Sequence, residues 1–230
     1  MSAVASVGRV ERPQVLVFDV NETLLDVAAL RPDFDAAIGS TEAMGEWFAR
    51  MLHGSLVANH TNRYRPFGVI GAEALRMVAR KRGVELSLDR AAEVVGGMRR
   101  LPPHPDVVEG LTVLADAGVR MITLTNGSTE AIAAQLANSG LEEFFEMSLS
   151  VDEVGRFKPA PETYIMASIR TGAELDRMLM VAAHDWDIVG ARSVGMPGAY
   201  IARPSAVWSL PDDEAQIVVP DIVGLASELT

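Results

Sequence analysis

The sequence contains no cysteine, and lysine occurs at only two positions, Lys81 and Lys158. Without cysteine the chain can form no disulfide bond, no thiolate nucleophile and no thiolate-ligated metal site. It has no apolar run near the ~18 residues that a membrane span requires. Its first residues also lack the apolar core of a signal peptide. These absences predict a cytoplasmic protein.

Basic residues are outnumbered by acidic ones. Lysine and arginine together number 20, and aspartate and glutamate 31, which gives a formal net charge of -11 at pH 7. This charge argues against nucleic acid and against an anionic membrane as partners, because both are themselves negatively charged. A small-molecule substrate is therefore the expected partner.

Short apolar runs alternate with helical patterns along most of the chain. The apolar runs predict strands at 14–19, 119–125, 146–152, 178–184, 198–202 and 216–220. The helical patterns lie at 106–117, 128–139, 161–171 and 186–194, with Ser128 as an N-cap and Gly140 as a helix end. Strands that alternate with helices indicate an α/β fold with a doubly wound parallel sheet.

One region breaks this alternation. Helical patterns near 41–58, 67–82 and 88–98 follow one another without a strand between them. We therefore expect a helical cap at residues 27–101, inserted into an α/β core formed by residues 1–26 and 102–230. Ligands of open α/β sheets bind beyond the carboxyl ends of the strands, so such a cap would close over the site.

Four predicted strand ends carry distinctive polar residues. Asp19 and Thr23 follow the first strand, "TNGS" begins at Thr125, "FKPAPETY" contains Lys158 and Tyr164, and "AAHDWD" ends at Asp187. With these segments in this order, the sequence resembles the haloacid dehalogenase superfamily, and within it the 2-haloacid dehalogenases. The resemblance runs from about residue 14 to 228. It implies a Rossmann-like core with a cap, and hydrolysis without a cofactor or metal. Homodimers are common in that branch, so dimerisation is an open expectation.

The residue types fit a covalent mechanism. A rigidly held carboxylate such as Asp19 can attack an electrophile and form an ester, which water later cleaves. Lys158 would keep Asp19 ionised, and Asp187 could orient or deprotonate the water. The substrate carboxylate could be held by Thr125 and by the backbone amides around Val20 and Asn126.

Structural roles are alternatives for several of these residues. Tyr164 lies on an apolar helix face and could be a core residue. Trp186 fits the wall of a pocket, and His104 lies in a proline-rich return segment. His184 could be a hydrogen-bonded core histidine, the base for water, or a hydrogen-bond donor to the leaving group.

Asn21 carries information about the leaving group. In phosphatases of the resembled superfamily, a second aspartate at this position protonates the departing alkoxide, which an asparagine cannot do. The acid that helps to hold Mg²⁺ in those enzymes is replaced here by Ala183. A halide leaves without a proton, so the pair of changes favours substitution at the halogen-bearing carbon of a 2-haloacid.

The resemblance also has gaps. The dehalogenase pattern places an arginine that receives the halide just after a tryptophan, and here Phe48 follows Trp47. Arg50 lies two positions further on, a rotation of about 200° around a helix. Ala182 and His184 stand where serine and asparagine are usual. Other pocket positions match the apolar lining of the family: Leu52, Phe67 and Trp186.

Three hypotheses remain open from the sequence. The first is a 2-haloacid dehalogenase, with fluorinated acids among its candidate substrates. The second is a hydrolase that uses the same aspartyl-ester chemistry on another carboxylate electrophile, such as a strained ring. The third is a non-catalytic binding protein, against which the set of catalytic residues argues. A metal-dependent phosphatase is a weaker fourth alternative.

Overall fold

The structure is a computed structural model that describes residues 12–204, 206–210 and 214–230. The first eleven residues, which belong to the segment inspected for a signal peptide and to the predicted core, lie outside the described residues. In the part of the chain that is described, no helix has the length and apolar character to cross a membrane.

Six parallel strands form one sheet in the order β3-β2-β1-β4-β5-β6. All six strand predictions and the α/β fold class are confirmed. The strands are β1 Val15–Phe18, β2 Arg120–Thr125, β3 Met147–Ser150, β4 Met178–Ala182, β5 Gly198–Ile201 and β6 Ile217–Val219.

The order of the strands reverses at β1. The chain runs from β1 outward to β2 and β3, and then returns to place β4 on the other side of β1. Phe18 pairs with Thr123 of β2 and with Val181 of β4, so these three strands end at nearly the same level. A crevice opens at such a switch point, beyond the carboxyl ends of the strands.

Helices cover both faces of the sheet. Ser128 accepts a hydrogen bond from the amide of Ala131, and Gly140 has a φ of 71°. Both predicted boundaries of the helix expected at 128–139 are therefore confirmed. The helices that follow β1 and its insertion are α5 Val107–Asp116, α6 Thr129–Ser139, α7 Pro161–Thr171, α8 Asp185–Ser193 and α9 Ile222–Leu229.

Between β1 and α5 the described residues form helices joined by loops, with isolated β-bridges but no further strand of the sheet. The two ends of this segment are joined by a hydrogen bond from the amide of Asp26 to the carbonyl oxygen of Pro102, at 2.9 Å. The assignment of this segment as a separate cap domain stays a prediction. Its helices, after a 3-10 turn at Val27–Leu30, are α1 Arg31–Ile38, α2 Ala43–Thr61, α3 Phe67–Lys81 and α4 Leu88–Gly96.

Alternate residues of β1 contribute to two hydrophobic cores. Leu16 and Phe18 belong to a core that continues through the helical segment and includes Trp47, while Val15 and Val17 belong to the other core. All four β1 side chains are fully buried. Burial of one such side chain stabilises the fold by roughly 1.5–3 kcal/mol, so β1 is a rigid support for the residue that follows it.

Candidate active site

The ends of four neighbouring strand segments carry buried polar side chains, and three of these, Asp19, Lys158 and Asp187, contact one another. Asp19 follows β1 directly, Thr125 is the last residue of β2, Lys158 lies in the loop after β3, and Asp187 lies in the first turn of α8 after β4. Each of these residues is at most 5% exposed. The structure therefore brings the predicted residues together within the buried interior.

Lys158 connects two of the acids. Its Nζ atom lies 2.9 Å from Oδ1 of Asp19 and 2.6 Å from Oδ2 of Asp187, and it donates to the carbonyl oxygen of Leu124 at 2.8 Å. The three protons of the ammonium group thus have three acceptors. Burial opposes the charge of Lys158, but the two carboxylates keep its pKa above the usual value.

Asp19 has hydrogen-bond donors at both of its oxygens. Oδ2 accepts from Oγ1 of Thr23 at 2.7 Å and lies 3.1 Å from Nδ1 of His184. Burial acts to raise the pKa of Asp19, but the charges of Lys158 and His184 outweigh this effect and hold the pKa well below its usual value. Asp19 is therefore ionised at neutral pH, as a carboxylate nucleophile must be.

The turn after β1 fixes Thr23 beside Asp19. The amides of Leu24 and Leu25 both donate to the carbonyl oxygen of Val20, and Oγ1 of Thr23 accepts from the amide of Ala183 at 2.9 Å. The buried guanidinium of Arg203 donates to the carbonyl oxygen of Thr23 at 2.8 Å. No signal in the sequence pointed to Arg203, which lies 180 residues away along the chain.

Asp187 is held by Tyr164 as well as by Lys158. The hydroxyl of Tyr164 donates to Oδ1 of Asp187 at 2.7 Å, and both side chains are fully buried. Burial raises the pKa of Tyr164 well above its usual value, so the hydroxyl remains a donor. Tyr164 is therefore a core residue that also contacts the site, and its predicted contact with substrate stays a prediction.

His184 lies between two carboxylates. Its Nδ1 faces Asp19, and its Nε2 lies 2.8 Å from Oε2 of Glu22. Burial alone would lower the pKa of His184, but the hydrogen bonds to Asp19 and Glu22 raise it to about 10. Glu22 was missed by the sequence analysis, and it adopts the left-handed conformation with a φ of 62°.

The ring of His184 stacks with two aromatic side chains. The ring centroid of Phe48 lies 5.8 Å from it at an interplanar angle of 20°, and that of Trp186 lies 5.0 Å from it at 26°. The expected arginine position is therefore occupied by a ring that packs on His184. Arg50 is exposed on the unbroken helix α2, so no register shift brings it to replace that arginine.

Two cavities flank the turn after β1. The larger, of about 690 Å³, is lined by Asn21 and by Phe67 among others. The second, of about 410 Å³, is lined by Phe48 and Leu52 together with Glu22, His184 and other residues. Of the apolar positions predicted for the pocket, Phe67 lines the first cavity and Leu52 the second, whereas Trp186 lines neither.

Asn21 is buried and fixed by another amide. Its Oδ1 atom accepts from Nε2 of Gln135 at 2.8 Å, and Gln135 also donates to the carbonyl oxygen of Met98. This arrangement ties the turn after β1 to α6 and to the end of the helical segment. It leaves Asn21 as a neutral group beside the site.

The residues predicted to hold a substrate carboxylate have structural contacts as well. Oγ1 of Thr125 accepts from the amide of Gly127 at 3.0 Å. Oδ1 of Asn126 accepts from the amide of Lys158 at 2.8 Å, which positions the loop that carries the lysine. Val20 is fully buried. The substrate contacts of these three residues stay predictions.

The residues of the site do not fit a divalent metal ion. Nζ of Lys158 fills the space between Asp19 and Asp187, and Ala183 offers no ligand. Across the described residues there is no group of three or more His, Cys, Asp or Glu that could hold a metal.

Comparisons with known proteins identify the family. A profile of haloacid dehalogenase-like hydrolases matches residues 13–195. The chain is 30% identical over 195 residues to (S)-2-haloacid dehalogenase of Pseudomonas sp. (strain YL), covering 84% of each chain. It is 29% identical over 195 residues to haloacetate dehalogenase H-2 of Moraxella sp. (strain B), covering 83% of this chain and 86% of the other.

A solved structure is similar over nearly the whole chain. L-2-haloacid dehalogenase from Xanthobacter autotrophicus matches with a TM-score of 0.88 and 26% identity, covering 94% of this chain and 97% of the other. The profile match alone spans most of the sequence. The chain is a hydrolase and belongs to the haloacid dehalogenase-like hydrolase family.

Proposed function

We propose that this protein is a hydrolytic dehalogenase of small 2-halo carboxylic acids. In the first step Asp19 attacks the halogen-bearing carbon, a C–O bond forms, and the halide departs with the electrons of the C–X bond. Water then attacks the carbonyl carbon of the resulting aspartyl ester. The products are a 2-hydroxy acid of inverted configuration, a halide ion and a proton.

The observation that carries this proposal is the state of Asp19. It is a buried carboxylate held ionised by Lys158 and His184, which is what a nucleophilic substitution needs. The relatives named for 2-haloacids and haloacetate support the choice of substrate class.

The leaving group is inferred from the neighbour of Asp19. Asn21 is fixed by Gln135 and has no acidic proton to give, so an alkoxide of a phosphate ester would lack its acid at this position. A halide ion is a stable anion and needs none.

Asp187 is our candidate for the group that orients or deprotonates the water. Its carboxylate is held by Lys158 and Tyr164, and burial raises its pKa. A higher pKa makes a carboxylate a stronger base, although the ammonium group of Lys158 opposes the effect.

The helical segment is proposed to act as a cap. Phe48, Leu52 and Phe67 come from it and line the two cavities beside the site, so a small and partly apolar substrate would be enclosed there. Exclusion of bulk water would strengthen the electrostatic interactions around Asp19.

Halide release tests the proposal. Purified protein is incubated with chloroacetate, each enantiomer of 2-chloropropionate, bromoacetate and fluoroacetate, and halide ion is measured over time. We expect release from at least one acid and its loss in Asp19→Asn. Activity retained by Asp19→Asn, or no halide from any of these acids, contradicts the proposal.

A second candidate function is favoured by the contact between His184 and Asp19. A protonated imidazole beside the nucleophile would also suit a substrate whose leaving group needs a proton, such as a strained ring that bears a carboxylate. Ring opening without halide release, measured by mass spectrometry of the product, would favour this candidate.

A further inference from the structure

The side-chain amide of Asn59 joins the helical segment to the loop that carries Lys158. Asn59 lies in the last turn of α2, where its Oδ1 accepts from the amide of Phe157 at 2.9 Å and its Nδ2 donates to the carbonyl oxygen of Phe157 at 2.8 Å. The two hydrogen bonds pair one side chain with both polar backbone groups of a single residue, as opposite residues of antiparallel strands are paired. Phe157 directly precedes Lys158 in the chain.

Arg156 adds a second contact at the same junction. Its Nη1 donates to the backbone carbonyl oxygen of Asn59 at 2.5 Å. The carbonyl oxygens in the last turn of a helix lack the partner that an interior turn supplies, and a cation is favourable there. Two consecutive residues of the loop, Arg156 and Phe157, therefore bind the same residue of α2.

The ring of Phe157 contacts the helical segment as well. It is fully buried, stacks on Tyr64 with ring centroids 4.9 Å apart, and lies 5.8 Å from the ring of Phe67. The amide, the carbonyl oxygen and the ring of Phe157 are thus each held by residues of the helical segment. This segment therefore determines where the backbone before Lys158 lies.

The core holds the loop from its other side. The amide of Lys158 donates to Oδ1 of Asn126 at 2.8 Å. From this backbone position the fully buried ammonium group has to reach Asp19 at 2.9 Å and Asp187 at 2.6 Å. A displacement of about 1 Å in such a group can slow a reaction by about 10²-fold, so the position of the loop matters for the rate.

We propose that Asn59 is a positioning residue for Lys158. Its amide fixes the backbone of Phe157 and so places the ammonium group of Lys158 between the two acids. The inference rests on the proposed function, because it assigns a residue of the helical segment to that reaction. Asn59 acts through the loop and not on the substrate, and nothing in the sequence pointed to it.

Removal of the Asn59 amide leaves a buried backbone group without its partner. In Asn59→Ala the amide of Phe157 loses its acceptor, and a buried donor without an acceptor is strongly unfavourable. We expect the loop to shift until this donor is satisfied, and Lys158 to move with it. A displaced ammonium group neutralises Asp19 and Asp187 less well, which slows both steps of the reaction.

The two lysines of the chain allow a test that needs no substrate. Protein labelled with ¹³C and ¹⁵N in lysine gives Cε and Nζ signals from Lys81 and Lys158 alone. In Asn59→Ala we expect the signals of Lys158 to shift and its ammonium protons to exchange with water about tenfold faster, the factor that loss of one hydrogen bond corresponds to. The signals of Lys81 should not change. Signals of Lys158 that stay the same overturn the inference.

Asn138→Ala is the matched control. Nδ2 of Asn138 donates to the carbonyl oxygen of Arg99 at 2.8 Å, so this asparagine also joins the core to the helical segment, but at a different part of the chain. We expect the Lys158 signals of Asn138→Ala to match those of the unmodified protein. Equal changes in the two variants would mean that Lys158 responds to any loosening of the helical segment, which overturns the specific role of Asn59.

Steady-state kinetics separate positioning of Lys158 from a general structural role. The assay uses the acid from which the unmodified enzyme releases halide fastest. We expect kcat of Asn59→Ala to fall about 10–100-fold and KM to change by less than about twofold, because the chemical steps are slowed and binding is not. Asn138→Ala should keep both constants. A higher KM with an unchanged kcat would mean that Asn59 affects only substrate binding, and overturns the inference.

A second variant keeps the test valid if Asn59→Ala does not fold. Asn59→Asp retains an acceptor for the amide of Phe157 and removes the donor to its carbonyl oxygen. We expect shifted Lys158 signals and a kcat below that of the unmodified enzyme. Lys158 signals and a kcat equal to those of the unmodified enzyme overturn the inference.

Failure of the proposed function would give a different result. If the unmodified protein releases no halide from any of the acids, the proposed function is wrong, while the lysine signals still test whether Asn59 places Lys158. If halide is released and the Lys158 signals of Asn59→Ala are unchanged, only this inference fails.

Discussion

Nδ1 of His184 lies 3.1 Å from one oxygen of Asp19, and Nζ of Lys158 lies 2.9 Å from the other. Each oxygen of the carboxylate is therefore matched with a cationic donor, in a place where burial alone would favour the neutral acid. The two cations differ in their further partners. Lys158 also pairs with Asp187 and His184 with Glu22, so Asp19, the proposed nucleophile, lies between two cations that each have a second carboxylate partner.

The two lysines of the chain give a matched pair of substitutions. We expect Lys158→Met to abolish halide release and to lower the free energy of unfolding by about 3–5 kcal/mol, because it leaves two carboxylates buried without their cation. Lys81→Met removes only an exposed pair with Glu46 and should change stability by less than about 1 kcal/mol. Urea denaturation and a halide assay measure both. Equal losses of stability and of halide release in the two variants would contradict this role of Lys158.

Two buried tyrosines give a second pair. Tyr164→Phe removes a donor from Asp187 and should lower the free energy of unfolding by about 1–3 kcal/mol, with slower turnover. The hydroxyl of Tyr200 has no hydrogen-bond partner within the described ranges, so Tyr200→Phe should be neutral or stabilising. Thermal unfolding and steady-state rates measure the difference. If Tyr200→Phe lost more stability than Tyr164→Phe, the hydrogen bond from the hydroxyl of Tyr164 would contribute little to stability.

Stability should depend on pH through His184. Its pKa is about 10 in the folded protein and 6.5 in the unfolded chain, so the folded state binds more protons between these values. The stabilisation is complete below about pH 6.5 and is lost as pH rises towards 10, by at most about 1.4 kcal/mol per pH unit. Urea denaturation should show a steeper decline in this window for the unmodified protein than for His184→Gln. Parallel declines would mean that His184 is not held protonated.

Two residues with positive φ test the strain at Glu22. Asn62→Gly should raise the free energy of unfolding by a few tenths of a kcal/mol to about 1, because Asn62 has a φ of 54° and ends α2. At pH 7 the free energy of unfolding of Glu22→Gly should be lower than that of Asn62→Gly, because Glu22→Gly also removes the contact with His184.

Above pH 10 the free energy of unfolding of Glu22→Gly should instead exceed that of Asn62→Gly. His184 is then neutral, and Glu22→Gly keeps only the relief of strain, roughly 1–2 kcal/mol. A difference between the two variants that does not change with pH would argue against the ion pair.

Phe48 and His184 should be coupled in function. The resembled dehalogenases have arginine and asparagine at these positions, so Phe48→Arg alone would place a guanidinium against the charged ring of His184. We expect Phe48→Arg and His184→Asn each to reduce halide release, and the double variant to be at least about fivefold more active than the two effects combined predict, a coupling of about 1 kcal/mol. Additive effects would show that the two positions act independently.

The sheet could be predicted from the sequence because each strand is a short apolar run bounded by polar or turn residues. Helix α1 was not among the predicted helices; it is only eight residues long, and Pro32 occupies its first turn, where proline is tolerated. Helix α9 was missed as well, although Asp221 caps its first turn by accepting from the amide of Gly224.

The site was predictable to the extent that it lies at strand ends. Asp19, Lys158 and Asp187 meet because parallel strands bring their carboxyl ends to one edge. Glu22 could not be predicted, since its contact with His184 depends on a left-handed backbone that is unfavourable for glutamate and joins residues 162 positions apart. The stacking of Phe48 on His184 likewise depends on how the helical segment packs on the sheet.

The most direct test of the account is a single turnover in water enriched in ¹⁸O, followed by mass spectrometry of the peptide that contains Asp19. Hydrolysis of an aspartyl ester leaves one oxygen from water in Asp19 and gives a first product whose new hydroxyl is unlabelled. We predict label in Asp19 and none in the first 2-hydroxy acid formed. Label in the product, with none in Asp19, would mean that water attacks the substrate directly and would contradict the account.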